Sequence, residues 1–177
     1  VQELVEKAEL MPKDIEWHMI GHLQKNKVKF IAPFVSLIHS VDSLKLLEKI
    51  SSVSGELGIT TSLLIQVNTS LEATKHGFKE EELLMHFPEI LLLPHLQIKG
   101  LMTLAPALRN VSNEQSICKA FKDLALLKNR LEVEFSVHLP ELSMGMSQDY
   151  TLAVKEGATI VRIGSSIFSC TTKRESC

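Results

Sequence analysis

With 177 residues, 45% hydrophobic and 23% charged, the chain has the makeup of a globular domain with a real core rather than a fibrous or disordered segment. A net charge of -2 supplies no electrostatic footprint for nucleic acid or an anionic membrane, and no apolar run approaches the roughly 20 residues of a membrane span. Three cysteines, Cys118, Cys170 and Cys177, are an odd number without CxxC spacing, which argues against a disulfide framework or a zinc site and for a reducing, cytoplasmic setting. The expectations are a small-molecule partner, no nucleic acid, no membrane, and a monomer.

The chain starts without methionine inside an amphipathic pattern, with Leu4, Val5 and Ala8 on one side, so residues are expected to precede it. Residues 2–10 read as a helix halted by Pro12, and Ile15 to Gly21 as a strand. His18 and His22 share a face by alternation, but no third ligand is spaced to join them as a metal site, so a core or hydrogen-bonded role is expected. Lys25, Asn26, Lys27 and Lys29 belong to a turn and a short helix reaching Phe34; without an aromatic stacking platform they read as a solvated face.

Ser36 to Val41 is the second strand. Asp42-Ser43 then caps a helix from Leu44 to Val53, with Leu44, Leu47 and Ile50 as its stripe, ended by Gly55 and Gly58. Thr61 to Thr69 is the third strand, its inner face ending in Gln66 and Asn68, the latter an unassigned candidate. Lys75-His-Gly-Phe78 precedes the acidic helix start Lys79 to Glu82, bounded downstream by Pro88 and Pro94. Ile98 to Ala105 is the fourth strand, closed by Pro106, and Ser112 to Gln115 caps a helix to Leu131. The last two strands end in Gly/Ser turns, Leu142-Ser-Met-Gly-Met-Ser147 and Ala158-Thr-Ile-Val-Arg-Ile-Gly-Ser-Ser166, with a helix between them ending at Gly157.

Strand and helix alternating in this way specify a parallel sheet, and about six βα units are visible against the eight of a closed α/β barrel. Two neighbouring Gly/Ser turns at the C-terminal ends of parallel strands would pool free backbone amides into one phosphate cup. Alternation places Arg162 with Ala158, Ile160 and Gly164 on one face. An arginine inside a barrel calls for an anionic or acceptor partner.

Seven segments then carry a resemblance: Trp17 to Lys27, Val41-Asp-Ser43, Gln66-Val-Asn68, Lys75-His-Gly77, Gly100 to Thr103, Leu142 to Ser147 and Gly157 to Gly164. Taken together and collinear from Val1 to Phe168, they resemble the pyridoxal phosphate homeostasis protein family. The resemblance implies a TIM-type (β/α)8 barrel of the alanine racemase N-terminal type, here incomplete, with the first two β-strands and the Schiff-base lysine absent. It implies a partial pyridoxal 5′-phosphate (PLP)-binding barrel over residues 1–168 and a divergent tail over 169–177. It implies no catalytic activity and a role in balancing intracellular vitamin B6 and amino acids. It also implies that Ser143, Met144, Gly164 and Ser165 hold the cofactor phosphate, partly through their amides, while Arg162 faces the pyridine nitrogen. Departures are Phe168-Ser169, where the family has Phe-Gly, and Leu71, at a position often glycine. The alternatives are a PLP-dependent racemase or decarboxylase barrel fragment, and a phosphate-binding barrel or interaction fragment unrelated to PLP.

Overall fold

A computed structural model describes residues 1–70, 76–106 and 114–168. Leu71, Lys75, the Ser112-Asn113 part of the expected cap and the tail from 169 lie outside the described residues. The elements alternate as expected. Helix α1 (Gln2–Leu10) is followed by β1 (Trp17–Met19), a 3-10 turn (Lys25–Lys27) running into α2 (Val28–Ile31), β2 (Val35–Val41) and α3 (Leu44–Leu57). Then come β3 (Thr61–Gln66), α4 (Glu80–Leu91), β4 (Leu96–Met102), α5 (Glu114–Phe135), β5 (Glu141–Met146), α6 (Tyr150–Lys155), β6 (Ile160–Arg162) and α7 (Ser165–Phe168).

The strands form one six-stranded sheet in chain order, every neighbouring pair parallel. The sheet is curled, and one hydrogen bond shows by how much. β2 and β5 stand three strand positions apart, about 14 Å in a flat sheet at about 4.8 Å per strand. Yet His39 Nδ1 on β2 and Ser143 Oγ on β5 are 2.8 Å apart. Only a sheet bent round a common axis brings those side chains together, so the six strands make a curled half-barrel with helices outside.

The two faces are filled differently. Against the helices, alternate strand residues such as Ile38, Leu63, Ile65, Leu101, Leu142 and Met144 join the helix stripes in one large apolar core. The stripes follow helical spacing: Leu83, Phe87 and Ile90 on α4, and Ile117, Phe121, Leu124 and Leu131 on α5. On the inner face, Leu37, Leu64 and Met102, with Ile160 packed beside them, make a separate, small cluster.

Several boundaries differ from the sequence expectation for physical reasons. β1 is three residues long because it has one neighbour and its register shifts between Trp17 and His18. α3 runs past Gly55 to Gly58, whose φ of 65° is the left-handed value a helix C-cap uses. Ser43 does occupy the N-cap position of α3, but its hydroxyl donates to Asp42 Oδ1 (3.3 Å) rather than capping the helix. Pro88 lies inside α4 instead of bounding it. Its ring sits on the exposed side, and burial of the Leu83–Phe87–Ile90 stripe offsets the lost backbone bond, a cost of about 3 kcal/mol.

Candidate functional site

The inner face changes character along the strands. Two residues beyond three members of the apolar layer, a polar side chain takes the same inward position: His39 after Leu37, Gln66 after Leu64, Arg162 after Ile160. Ser143, paired in register with Met102 and Ile160, stands at the level of the layer itself. All four are buried.

Arg162, Ser143 and His39 form a connected chain with the Thr103 carbonyl and His18, while Gln66 donates to the His76 carbonyl instead. Arg162 donates from one terminal nitrogen to Ser143 Oγ (2.6 Å) and from the other to the Thr103 carbonyl (2.8 Å). With a lone pair of Ser143 taken by the guanidinium, its hydroxyl hydrogen is directed to His39 Nδ1, leaving His39 Nε2–H to donate to His18 Nδ1 (3.1 Å). Burial, then the neighbouring His18 and the Arg162 charge, push the His39 pKa down to about 3, so its imidazole is neutral. Arg162 is also lowered by burial, to about 10, an effect Asp149 opposes, and remains charged at neutral pH. Both of its hydrogen-bonded partners are neutral oxygens, so the cation retains capacity for an acceptor.

At the strand ends above this chain, backbone amides converge. β6 stops at Arg162, and the amides of Gly164 (3.2 Å) and Ser166 (3.4 Å) both point at Ser147 Oγ. These contacts are longer than the usual 2.9–3.0 Å or so of an amide hydrogen bond, and one neutral hydroxyl serves both donors. Asp149 fixes the turn carrying Ser147, its Oδ1 accepting from the Met146 amide at 2.6 Å. The turn can lie here because four residues of β5, Ser143 to Met146, oppose three of β6, Ile160 to Arg162, a bulge containing Gly145 at φ 93°. A Cβ on Gly145 would sit 2.6 Å from the Ala153 Cβ of α6, so glycine is what allows that helix its close approach.

Below the amides, a cavity of about 300 Å³ opens between the two sheet ends, bordered by His18, His39, Met146, Ile160, Arg162 and Gly164. Of the residues proposed from sequence, Arg162 and Gly164 line this cavity, and Ser165 stands exposed at the start of α7. Ser143 lies deeper, its hydroxyl shared by Arg162 and His39. Met144 is fully buried on the opposite face, among the helices. Sequence reasoning assigned no binding role to His18, His39, Thr103 or Ser147. The inward alternation of β1 and β2 carried a signal for the two histidines; the Thr103 carbonyl carried none. The expected hydrogen-bonded role of His18 is met by His39, whereas His22 lies elsewhere, beside Asp42 and His76. Asn68 continues the β3 rim, its amide donating to the Phe78 carbonyl at 2.9 Å.

Among known proteins, the profile of the family described as "Alanine racemase, N-terminal domain" matches residues 1–172. The pyridoxal phosphate homeostasis protein of Aquifex aeolicus is 44% identical over 169 residues, covering 95% of this chain and 73% of that protein. The solved structure of PipY from Synechococcus elongatus with PLP bound superposes with a TM-score of 0.82 at 36% identity, covering 94% of this chain and 77% of PipY. An alanine racemase from Clostridium difficile shares the fold alone, with a TM-score of 0.77 at 17% identity over 92% of this chain and 41% of the racemase. Among the described residues, no helix is long and apolar enough to cross a membrane.

Proposed function

This chain belongs to the alanine racemase N-terminal domain family, and within it to the pyridoxal phosphate homeostasis proteins, and from that membership we propose that it binds PLP in the inner-face cavity without turning over amino acids. The observation that carries the reading is the convergence of the Gly164 and Ser166 amides on one hydroxyl directly above a buried, charged Arg162. That donor set fits the cofactor. A phosphate oxygen is a stronger acceptor than the Ser147 hydroxyl for the two amides, and the guanidinium complements an anionic ligand.

Gly164, Ser165, Ser166 and Ser147 would hold the phosphate at the rim, while Arg162 would present an N–H to the pyridine nitrogen. Ser143 would serve the site through its hydroxyl, which orients the guanidinium, whereas the Met144 side chain packs outside. Bound PLP supplies a conjugated ring that can withdraw electrons from an attached amine. Arg162 works against that chemistry, because a permanently charged donor disfavours a proton on the ring nitrogen and so weakens the ring as an electron sink. Neutral His39 holds the serine that holds the arginine and adds no second charge. The assembly is suited to keeping the cofactor, in line with a role in vitamin B6 balance in the cytoplasm as a monomer.

Calorimetric titration with PLP and with pyridoxal tests this, together with chiral chromatography of alanine incubated with the loaded protein. PLP should bind at least about tenfold more tightly than pyridoxal, Arg162→Met should weaken PLP about 10–100-fold, and alanine should keep its configuration. Equal affinities for the two ligands, undiminished binding by the variant, or racemised alanine would each defeat the proposal.

A further inference from the structure

A second constellation lies on the same rim at the other end of the sheet. His22 in the turn after β1, Asp42 directly after β2 and His76 before α4 bring their ligand atoms within 4.8 Å of one another. Each of the two histidines places Nδ1 3.5 Å from the same carboxylate oxygen, Asp42 Oδ2. Their rings stack at 4.7 Å between centroids and 29° between planes, so both present the same edge to the carboxylate.

We propose that His22, Asp42 and His76 form a binding site for a divalent transition-metal ion of the zinc type. The spacing is the first argument. At 3.5 Å the nitrogen–oxygen separations exceed the roughly 2.7–3.2 Å of an N–H···O hydrogen bond. Two tetrahedral ligands with bonds of about 2.0–2.1 Å lie about 3.4 Å apart, which is the separation seen twice here. The ligand chemistry is the second. Two imidazoles and one carboxylate suit zinc, cobalt or nickel, whereas calcium and magnesium prefer an all-oxygen set.

The support beneath each ligand is the third. The Asp42 side chain is only 12% exposed, and its other oxygen accepts from the Ser43 hydroxyl at 3.3 Å, which leaves Oδ2 to the histidines. The backbone of the His22 turn is tied to β2 by the Ser40 hydroxyl, which donates to the Gly21 carbonyl at 2.6 Å. The His76 carbonyl accepts from Gln66 Nε2 at 3.0 Å, and the Phe78 amide donates to the Gln66 carbonyl at 2.9 Å. Gly77, at φ 124°, makes that approach possible, since a Cβ there would lie 2.8 Å from the Asn68 nitrogen. Side chains 53% and 65% exposed at His22 and His76 leave the remaining coordination positions open to water. The ion would fasten the ends of β1 and β2 to the segment entering α4.

Titration of the folded protein with cobalt(II) chloride, followed by zinc competition, tests the site apart from any cofactor. One cobalt ion per chain should give visible ligand-field absorption that zinc abolishes, and zinc should raise the melting temperature. His76→Ala, His22→Ala and the milder His76→Gln should each weaken binding at least about tenfold while keeping the far-ultraviolet circular dichroism of the parent, and His138→Ala should change nothing. Absence of the visible band, a thiolate-to-cobalt charge-transfer band, or undiminished binding in both histidine-to-alanine variants would overturn the assignment.

Discussion

The outer and inner faces of one sheet are built from the same six strands and do opposite things. Outside, helices and alternate strand residues bury a continuous apolar core that includes Phe78, Phe87 and Phe121. Inside, three buried apolar side chains and Ile160 form one thin layer, beside and above which the chain spends its burial on Ser143, Arg162, His39 and Gln66. Each buried polar group here is costly unless partnered, and the hydrogen bonds from Thr103 through Arg162 and Ser143 to His39 and His18, with that from Gln66 Nε2 to the His76 carbonyl, supply those partners. Stability therefore resides mostly on the convex side, and the proposed binding chemistry on the concave side.

Separating the two faces experimentally gives effects of graded size. The largest is expected on the outer face. Phe87 is fully buried and packs its ring 5.0 Å from that of Phe135, so Phe87→Ala should lower the unfolding free energy by about 3–5 kcal/mol in denaturant titration. The molecules that remain folded should keep the parent affinity for PLP. A large affinity loss at full folding would show that the faces are not separable.

The next effect belongs to the inner face and appears as a pH slope. His39 is held neutral in the fold, with a pKa of about 3 against 6.5 when free, so the unfolded chain takes up its proton first as pH falls. The stabilisation is complete above about pH 6.5 and is lost progressively toward about pH 3, by about 1.4 kcal/mol per pH unit within that window. Comparing the parent with His39→Asn isolates this contribution, because other acid-titrating groups are common to both. The difference in unfolding free energy between the two should shift with pH across that window; a constant difference would mean that His39 is not held neutral.

The smallest effect on stability is expected at the rim. A Cβ on Gly164 meets no atom within 4 Å, in contrast to Gly145 against Ala153. Gly164→Ala should leave the unfolding free energy within about 0.5 kcal/mol of the parent, so any loss of PLP affinity reports on the site alone. A drop in stability comparable to that of Gly145→Ala would place Gly164 in the scaffold instead.

The difference between the faces also governs what could be read from the sequence. Helix stripes such as Leu83–Phe87–Ile90 and the alternation in β3 are local and periodic, so the parallel α/β order was legible without coordinates. Arg162 and Gly164 were legible too, as an inward arginine running into a Gly/Ser turn. The Arg162–Ser143–His39–His18 chain was not, because its members come from four strands and meet only when the sheet curls. Ser143 and Met144 illustrate the limit of motif reading, since adjacent strand residues face opposite sides and only the serine hydroxyl reaches the interior. His76 read as scaffold because Asp42 is far from it in sequence, and their approach depends on the turn at Gly77 and the tie to Gln66.

The proposed PLP site stands or falls with the Ser147, Gly164 and Ser166 cup as the seat of the phosphate. Ser147→Asp would place a carboxylate where the two amides converge, and the affinities of this variant for PLP and for pyridoxal can be measured side by side by calorimetry. With the phosphate seated there, PLP binding falls at least about tenfold while pyridoxal binding is unchanged, through repulsion of like charges at close range. PLP binding that survives the substitution, or an equal loss for both ligands, would contradict that seating.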